Sequence, residues 1–196
     1  MTTRLNPAAD RMQPIRFDLP AWSSSARAFL DTSPSPAGPL AFAVNGDGAL
    51  LRTQFLEGRY PTTIEQELAR AGFGVTRDPE RTAPVRQQLA EYAEGRRTAF
   101  DLPLVLDGDG WQQAVWRVLL AVPFGETRSY GRVAALAGRP GAAREVGEAV
   151  AANPLPLVVP CHRVIGADGS LKGFTGGVHL KRRLLAHEGA RPALAI

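Results

Sequence analysis

Cys161 is the one cysteine in this 196-residue chain, and it stands in Val159-Pro160-Cys161-His162-Arg163-Val164. A thiol reacts as its thiolate, and a free cysteine with a pKa near ~8.5 holds little of that form at neutral pH. A histidine beside the thiol and an arginine two places on make an electropositive setting, which favours the anion. An imidazole can also accept the thiol proton, and a carboxylate elsewhere can orient that imidazole. The chain has three histidines: His162, His179 and His187. Side chains of adjacent residues on a strand point to opposite faces, so His162 serves Cys161 only if the backbone turns there. Pro160 supplies a reason for it to turn. A buried structural cysteine beside an exposed histidine is the plain alternative, and only the surroundings can decide between the two.

The sequence predicts the elements that must hold these residues. Residues 1–14 are polar, with little periodicity, and read as a mobile arm. Residues 31–39, DTSPSPAGP, read as a loop. Two apolar runs between Leu40 and Leu56 flank Asn45-Gly46-Asp47-Gly48, a hairpin signal. Thr62 or Thr63 can cap a helix carrying Ile64, Leu68 and Ala71, stopped by Gly72 and Gly74. A second helix is expected from Pro84 to Glu94, with Val85, Leu89 and Tyr92 at helical spacing, followed by a strand over 100–106. Residues 15–106 thus form a small α/β unit, and 107–110, Asp-Gly-Asp-Gly, read as a linker.

From 111 to 196 the pattern turns helical. Trp111, Val115, Val118 and Leu119 stripe one helix that ends before Pro123. Ser129 can cap a helix from Tyr130 to Ala137, and Gly138 to Gly141 turn the chain into a further helix over Ala142 to Ala152. Two short helices joined by a tight glycine-containing turn are a helix-turn-helix signature. VIGADGSLKGF reads as a hairpin wing around Asp168-Gly169, and a last helix runs from Val178 to His187, ending at Gly189.

Bulk properties narrow the class. The net charge of +4 is uneven: residues 1–107 carry −1 and residues 108–196 carry +5. A basic second half suits a polyanionic partner, although an arginine-leaning solvated surface would look the same. No apolar run approaches the ~20 residues needed to span a bilayer. The opening residues contain no continuous hydrophobic segment of the secretory kind, and a lone cysteine fits a reducing compartment, so a cytoplasmic location is expected.

The segment WQQAVWRVLLAVPFGETRSYGRVAALAGRPGAAREVGEAVAANPLPLVVPCHRVIG resembles the methylated-DNA–protein-cysteine methyltransferases, the O6-alkylguanine-DNA alkyltransferases. The likeness covers about the last ninety residues. It includes the PFGxTxSY turn, the AxR-x-VG-x-A helix, Asn153 eight residues before the cysteine, PCHRV, Phe174 to Gly177, and LLAHEG. It implies an α/β (α+β) architecture, with a ribonuclease-H-like N-terminal domain and a C-terminal winged helix-turn-helix-like DNA-binding domain.

Position by position, the resemblance implies that Cys161 accepts an alkyl group from guanine O6 or, less readily, thymine O4. His162 would deprotonate it through a water, Glu188 would orient His162, and Asn153 would brace the turn. Tyr130 would bond the guanine and help return a proton to it. Arg144 would fill the duplex gap left by the flipped nucleotide, with the small Ala142, Ala143 and Gly147 allowing close approach to the minor groove. Val164 and Thr175 would offer backbone groups to the base, Phe174 would shape the pocket wall, and Ser129 and Gly176 would complete the DNA-facing set. The implied partner is double-stranded DNA bearing alkylated guanine, bound by a monomer and open to cooperative binding along the duplex, with no membrane, no metal and no cofactor.

Three departures stand out. Glu145 follows Arg144 where the family more often has a small residue, Trp111 stands where phenylalanine is usual, and no cysteine or histidine precedes Cys161 to hold the structural zinc of some relatives. Two rival classes remain: a winged-helix DNA-binding or lesion-sensing protein whose cysteine is incidental, and a cysteine hydrolase using Cys161 and His162.

Overall fold

The structure, a computed structural model, describes residues 26–190. The expected arm at 1–14 and the start of the N-terminal unit at 15–25 lie outside the described residues, as do 191–196. The predicted hairpin forms: β2 (Leu40–Asn45) pairs antiparallel with β3 (Leu50–Phe55). Asn45 Oδ1 accepts from the amides of Asp47 and Ala49 (3.0 and 2.9 Å), an Asx arrangement that closes the turn. A strand not foreseen, β1 (Arg27–Ser33), pairs antiparallel with β2, so the loop expected over 31–39 begins only after Ser33. Asp31 is kept in the strand by its partner Phe42 and by a side-chain bond from Thr82 at 2.7 Å. β4 (Gly74–Thr76) runs parallel to β1 and completes the sheet in the order β3-β2-β1-β4.

α1 (Ile64–Arg70) takes Thr63 as its cap, in a capping box with Gln66. α2 (Pro79–Ala93) starts earlier than expected, because Asp78 Oδ1 accepts from the amides of Glu80 and Arg81 and Pro79 suits the first turn. Pro84, the expected start, lies inside the helix, where it can make no backbone bond of its own to Glu80. The strand expected over 100–106 reduces to a bridge between Leu104 and Leu50, closed by Leu50 N to Pro103 O (2.8 Å) and Val105 N to Leu50 O (2.9 Å). Pro103 has no N–H to extend it.

Part of the expected linker is helix. Asp109 caps α3 (Gly110–Leu120), its carboxylate accepting from Gln112 N at 2.8 Å. The face that α3 buries includes Trp116 beside the predicted Val115 and Leu119. Trp116 Nε1 donates to Ala149 O at 2.9 Å and Trp111 Nε1 to Glu145 O at 3.3 Å, so both indoles fasten α3 to α5 (Ala143–Ala151). α4 (Tyr130–Leu136), capped by Ser129, precedes α5 across a turn in which Gly138 and Gly141 hold φ of 87° and 93°.

The wing departs from its prediction. β6 (Val164–Ile165) pairs parallel with β5 (Arg128–Ser129), and no returning strand follows the tight turn at 166–170. The cause lies in α6 (Val178–His187), which spans its predicted range. The α6 residue Lys181 reaches across and its Nζ donates to the carbonyls of Val164 and Leu171, taking up the acceptors a hairpin would pair. One apolar cluster runs from Phe42, Phe55 and Tyr92 through Trp116 and Val146 to Cys161 and Leu184, crossing the 107–110 segment without a break.

Candidate active site

Pro160 turns the chain, and Cys161–Arg163 form a single 3-10 turn, so Cys161 and His162 no longer alternate across a strand. The approach to the turn is held from both halves of the molecule. Asn153 Nδ2 donates to Val159 O (2.9 Å), and Asn153 Oδ1 accepts from Leu155 N (3.0 Å). On β3, Thr53 N donates to Pro154 O (3.1 Å) and Thr53 Oγ1 to Pro156 O (2.7 Å). Leu157, between these anchors, is buried with φ of 83°. For a branched, non-glycine residue that conformation costs on the order of 1–3 kcal/mol, so the surrounding bonds must over-determine it.

The electrostatics correct one expectation. Burial is the largest influence on the Cys161 thiol and pushes it above the ordinary range; there is no standing thiolate. Opposing it are a hydrogen bond from the Asn153 side chain, the Lys181 charge, and the amides of Cys161 and His162. Arg163, expected as the source of positive charge, points away. It donates to Glu188 from Nε (2.9 Å to Oε2) and Nη2 (2.9 Å to Oε1), and to Val122 O from Nη1 (2.6 Å). The cation beside the sulfur is Lys181, brought down to about 8 by burial against the pull of the sulfur's charge.

His162 is wholly buried, with Nε2 2.7 Å from Glu188 Oε1. Burial raises the Glu188 carboxyl, but hydrogen bonds and charge from His162 and Arg163 outweigh it and hold the acid well below the usual range. An ionised Glu188 only accepts, so the imidazole proton is assigned to Nε2 and the lone pair to Nδ1. His162 Nδ1 is buried and has no hydrogen-bond partner among the described residues. Burial depresses the imidazole, Glu188 pulls it up, and Arg163 and Lys181 push it down again; the net shift is downward. The site therefore rests as a neutral thiol beside a neutral imidazole whose basic nitrogen is free.

Above the turn, a cavity of about 780 Å³ opens between the helix-turn-helix and the 166–175 segment. Ser129, Tyr130, Ala143, Arg144, Gly147, Phe174 and Thr175, all among the residues singled out from the sequence, are part of its lining. Cys161, His162, Asn153, Glu188 and Val164 do not line it; the lining residue Tyr130 feels the charge of the Cys161 sulfur, and the Val164 carbonyl is already bonded to Lys181. Ala142 adjoins the cavity without lining it, as does Gly176. A Cβ on Gly176 would sit 2.9 Å from the Tyr60 hydroxyl and 2.8 Å from Leu180, which explains the glycine. Burial and the neighbouring sulfur both raise the Tyr130 hydroxyl, which keeps its proton and can donate it. The Arg144 side chain is 92% exposed, and among the described residues its one ion pair is a loose 3.6 Å contact with Glu148. An exposed pair of that kind is worth little, so the guanidinium is free to move. Glu145 is exposed and does not pair with Arg144.

The sequence reading missed Lys181, the Arg163–Glu188 pair, the bond from Tyr92, and the Gly166–Gly173 part of the cavity wall. A signal for Lys181 was present: it shares a buried face with Leu180, Leu184 and Leu185, where a lysine has no business unless it is bonded. Among the described residues, no group of three or more His, Cys, Asp or Glu is placed to hold a metal.

Comparison with known proteins agrees with this geometry. Residues 110–190 match the family model of the 6-O-methylguanine DNA methyltransferase DNA-binding domain. A methylated-DNA–protein-cysteine methyltransferase of Mycobacterium tuberculosis is 46% identical over 160 residues, 82% of this chain and 92% of the relative. One from Methanosarcina barkeri is 36% identical over 160 residues, 82% of this chain and 96% of the relative. The solved structure of M. tuberculosis OGT in complex with DNA superposes with a TM-score of 0.71 at 43% identity, covering 86% of this chain and 96% of that one.

Proposed function

The chain belongs to the methylated-DNA–protein-cysteine methyltransferases, and from that premise we propose that it repairs DNA by moving one alkyl group from guanine O6 to Cys161. The observation that carries this reading is a buried, single thiol beside a neutral imidazole whose free nitrogen has no partner among the described residues, close enough to act on Tyr130 in the wall of a cavity of about 780 Å³. The alkylated oxygen lies inside the base stack, so the nucleotide must rotate out of the duplex to reach the sulfur. α5 enters the minor groove with Ala142, Ala143 and Gly147 toward the backbone, and Arg144 fills the vacancy. Minor-groove readout is nearly degenerate, which suits a protein that must accept any flanking sequence.

The chemistry balances without a cofactor. The Cys161 proton passes to His162 Nδ1 through a water, and Glu188 stabilises the imidazolium. The sulfur attacks the alkyl carbon, an S–C bond forms, and the C–O6 bond breaks with its electron pair staying on the guanine. Tyr130 donates to that anion, and the proton taken from Cys161 makes good the loss. Asn153, Val164, Phe174 and Thr175 hold the turn and the base. The thioether is stable, so each molecule acts once. Such a protein works on DNA in the cytoplasm, and no helix among the described residues is long and apolar enough to cross a membrane.

The test is direct. Incubated with a duplex carrying one O6-methylguanine, the protein is expected to gain one methyl per molecule, found by peptide mass spectrometry on the Cys161 peptide. Methyl-free Cys161 after complete incubation refutes the reading. Arg144→Ala tests the flipping step. Holding a nucleotide out of the stack costs a few kcal/mol, so its transfer rate from duplex should fall roughly tenfold to a hundredfold. Transfer from free O6-benzylguanine should fall much less, and an equal loss on both substrates removes Arg144 from the flipping role.

A further inference from the structure

Tyr92 reaches the site from the other half of the chain. It lies on α2, near its C-terminal end, fully buried, and its hydroxyl donates to Glu188 Oε1, the same oxygen that meets His162 Nε2 at 2.7 Å. Its ring is held on three sides, by Phe100 (centroids 5.2 Å), Phe124 (5.9 Å) and His187 (5.3 Å). Its carbonyl accepts from His187 Nε2 at 2.8 Å. A core aromatic at this helical position needs no oxygen, and phenylalanine would fill the same space. Burying a hydroxyl is unfavourable unless it is bonded, so the oxygen has a specific partner to serve.

We propose that Tyr92 is a positioning residue for the transfer reaction, a fourth member of the Cys161–His162–Glu188 relay that sets how tightly Glu188 holds the proton on His162. The inference rests on the alkyl-transfer reading above. Glu188 is faced by the Tyr92 hydroxyl, the His162 imidazole, the Arg163 guanidinium and the Gly125 amide at 3.2 Å. His162 is faced by Glu188, Arg163 and Lys181, and Tyr92 by His187. A hydrogen bond to a carboxylate favours its charged form and spreads that charge, which lessens its pull on a neighbouring imidazolium. With Tyr92 donating, Glu188 orients the neutral ring without drawing in a second proton from solvent. Without that donor, the pull on an imidazolium grows, and His162 is blocked as a base over a wider acid range.

Tyr92→Phe in the full chain tests this with two readings. One is the single-turnover methyl-transfer rate across pH; the other is the 15N shifts of the His162 imidazole across the same range, which need no DNA. Both acid-side midpoints are expected to move up by about half to one pH unit, the scale of one lost hydrogen bond. On the acid limb, between the two midpoints, the rate should drop a few-fold, and at neutral pH and above it should stay close to that of the parent. A rate lowered equally at every pH, with both midpoints unmoved, assigns Tyr92 to packing alone and overturns the proposal. Should the Tyr92→Phe chain not fold, 3-fluorotyrosine at position 92 keeps ring and hydroxyl but donates more strongly, so the midpoints should move down; unmoved midpoints again overturn it. If the parent transfers no methyl, the functional reading fails, while the imidazole titration still decides the role of Tyr92.

Discussion

Cys161→Ala is expected to reduce alkyl transfer by at least ~10⁴-fold while leaving affinity for duplex DNA within about twofold. The two halves of this expectation come from different parts of the structure. Cys161 is only 3% exposed and is not part of the cavity lining to which Arg144, Ala143 and Gly147 belong, so its removal leaves the docking face intact. No second thiol exists to take over. Alanine also leaves only a small void, on the order of 1 kcal/mol of stability, so the fold survives. Anisotropy with a labelled duplex and single-turnover transfer from O6-methylguanine separate the two effects. Transfer that persists in the variant would place the acceptor elsewhere; binding lost together with transfer would mean that the thiol shapes the docking surface.

That separation follows from how the site is built. Cys161 supplies reactivity only once an imidazole takes its proton, because burial holds the thiol above its ordinary range. Keeping the anion scarce until a substrate fills the cavity suits a protein that reacts once, since a standing thiolate is open to oxidation and stray alkylation. Lys181 supplies the charge that steadies the sulfur as it ionises, and Asn153 the hydrogen bond. The N-terminal half is not a passive prop either: Thr53 holds Pro154 and Pro156, and Tyr92 holds Glu188.

Much of this was legible in the sequence where local chemistry governs. Thr63 and Ser129 act as the caps they resemble, the Asn45–Gly48 turn closes its hairpin, and α6 spans its predicted residues. What escaped depends on long-range pairing. β1 is a strand because β2 and β4 lie on either side of it, which no window around 27–33 reveals. The wing fails to close because Lys181, ten residues beyond Leu171, takes its carbonyl. The electropositive setting read from His162 and Arg163 was misplaced for the same reason. Neighbours in sequence diverge across a 3-10 turn, so Arg163 turns to Glu188 and a cation from α6 takes its place.

Glu188→Gln should be costly in both stability and rate. Arg163 has a side chain only 8% exposed and two donors on the Glu188 carboxylate. Removing one partner of a buried ion pair leaves the other charge uncompensated, at about 3–5 kcal/mol. For a chain of this size that lowers the melting temperature by roughly 10 °C. The amide oxygen can still accept from His162 Nε2, but it cannot stabilise the imidazolium that forms as Cys161 loses its proton, so transfer should slow by about 10²–10⁴-fold. The pH dependence carries a definite sign. Hydrogen bonds and charge hold the folded Glu188 carboxyl below its unfolded value, so its contribution to stability is complete above about pH 5 and fades as pH falls toward the folded value. The gap in melting temperature between the parent and the Glu188→Gln chain should therefore be widest near neutrality and narrow steadily on acidification. A gap that stays constant or widens in acid would show that Glu188 is not held ionised by His162 and Arg163, and the assignment of the free lone pair to His162 Nδ1 would fall with it.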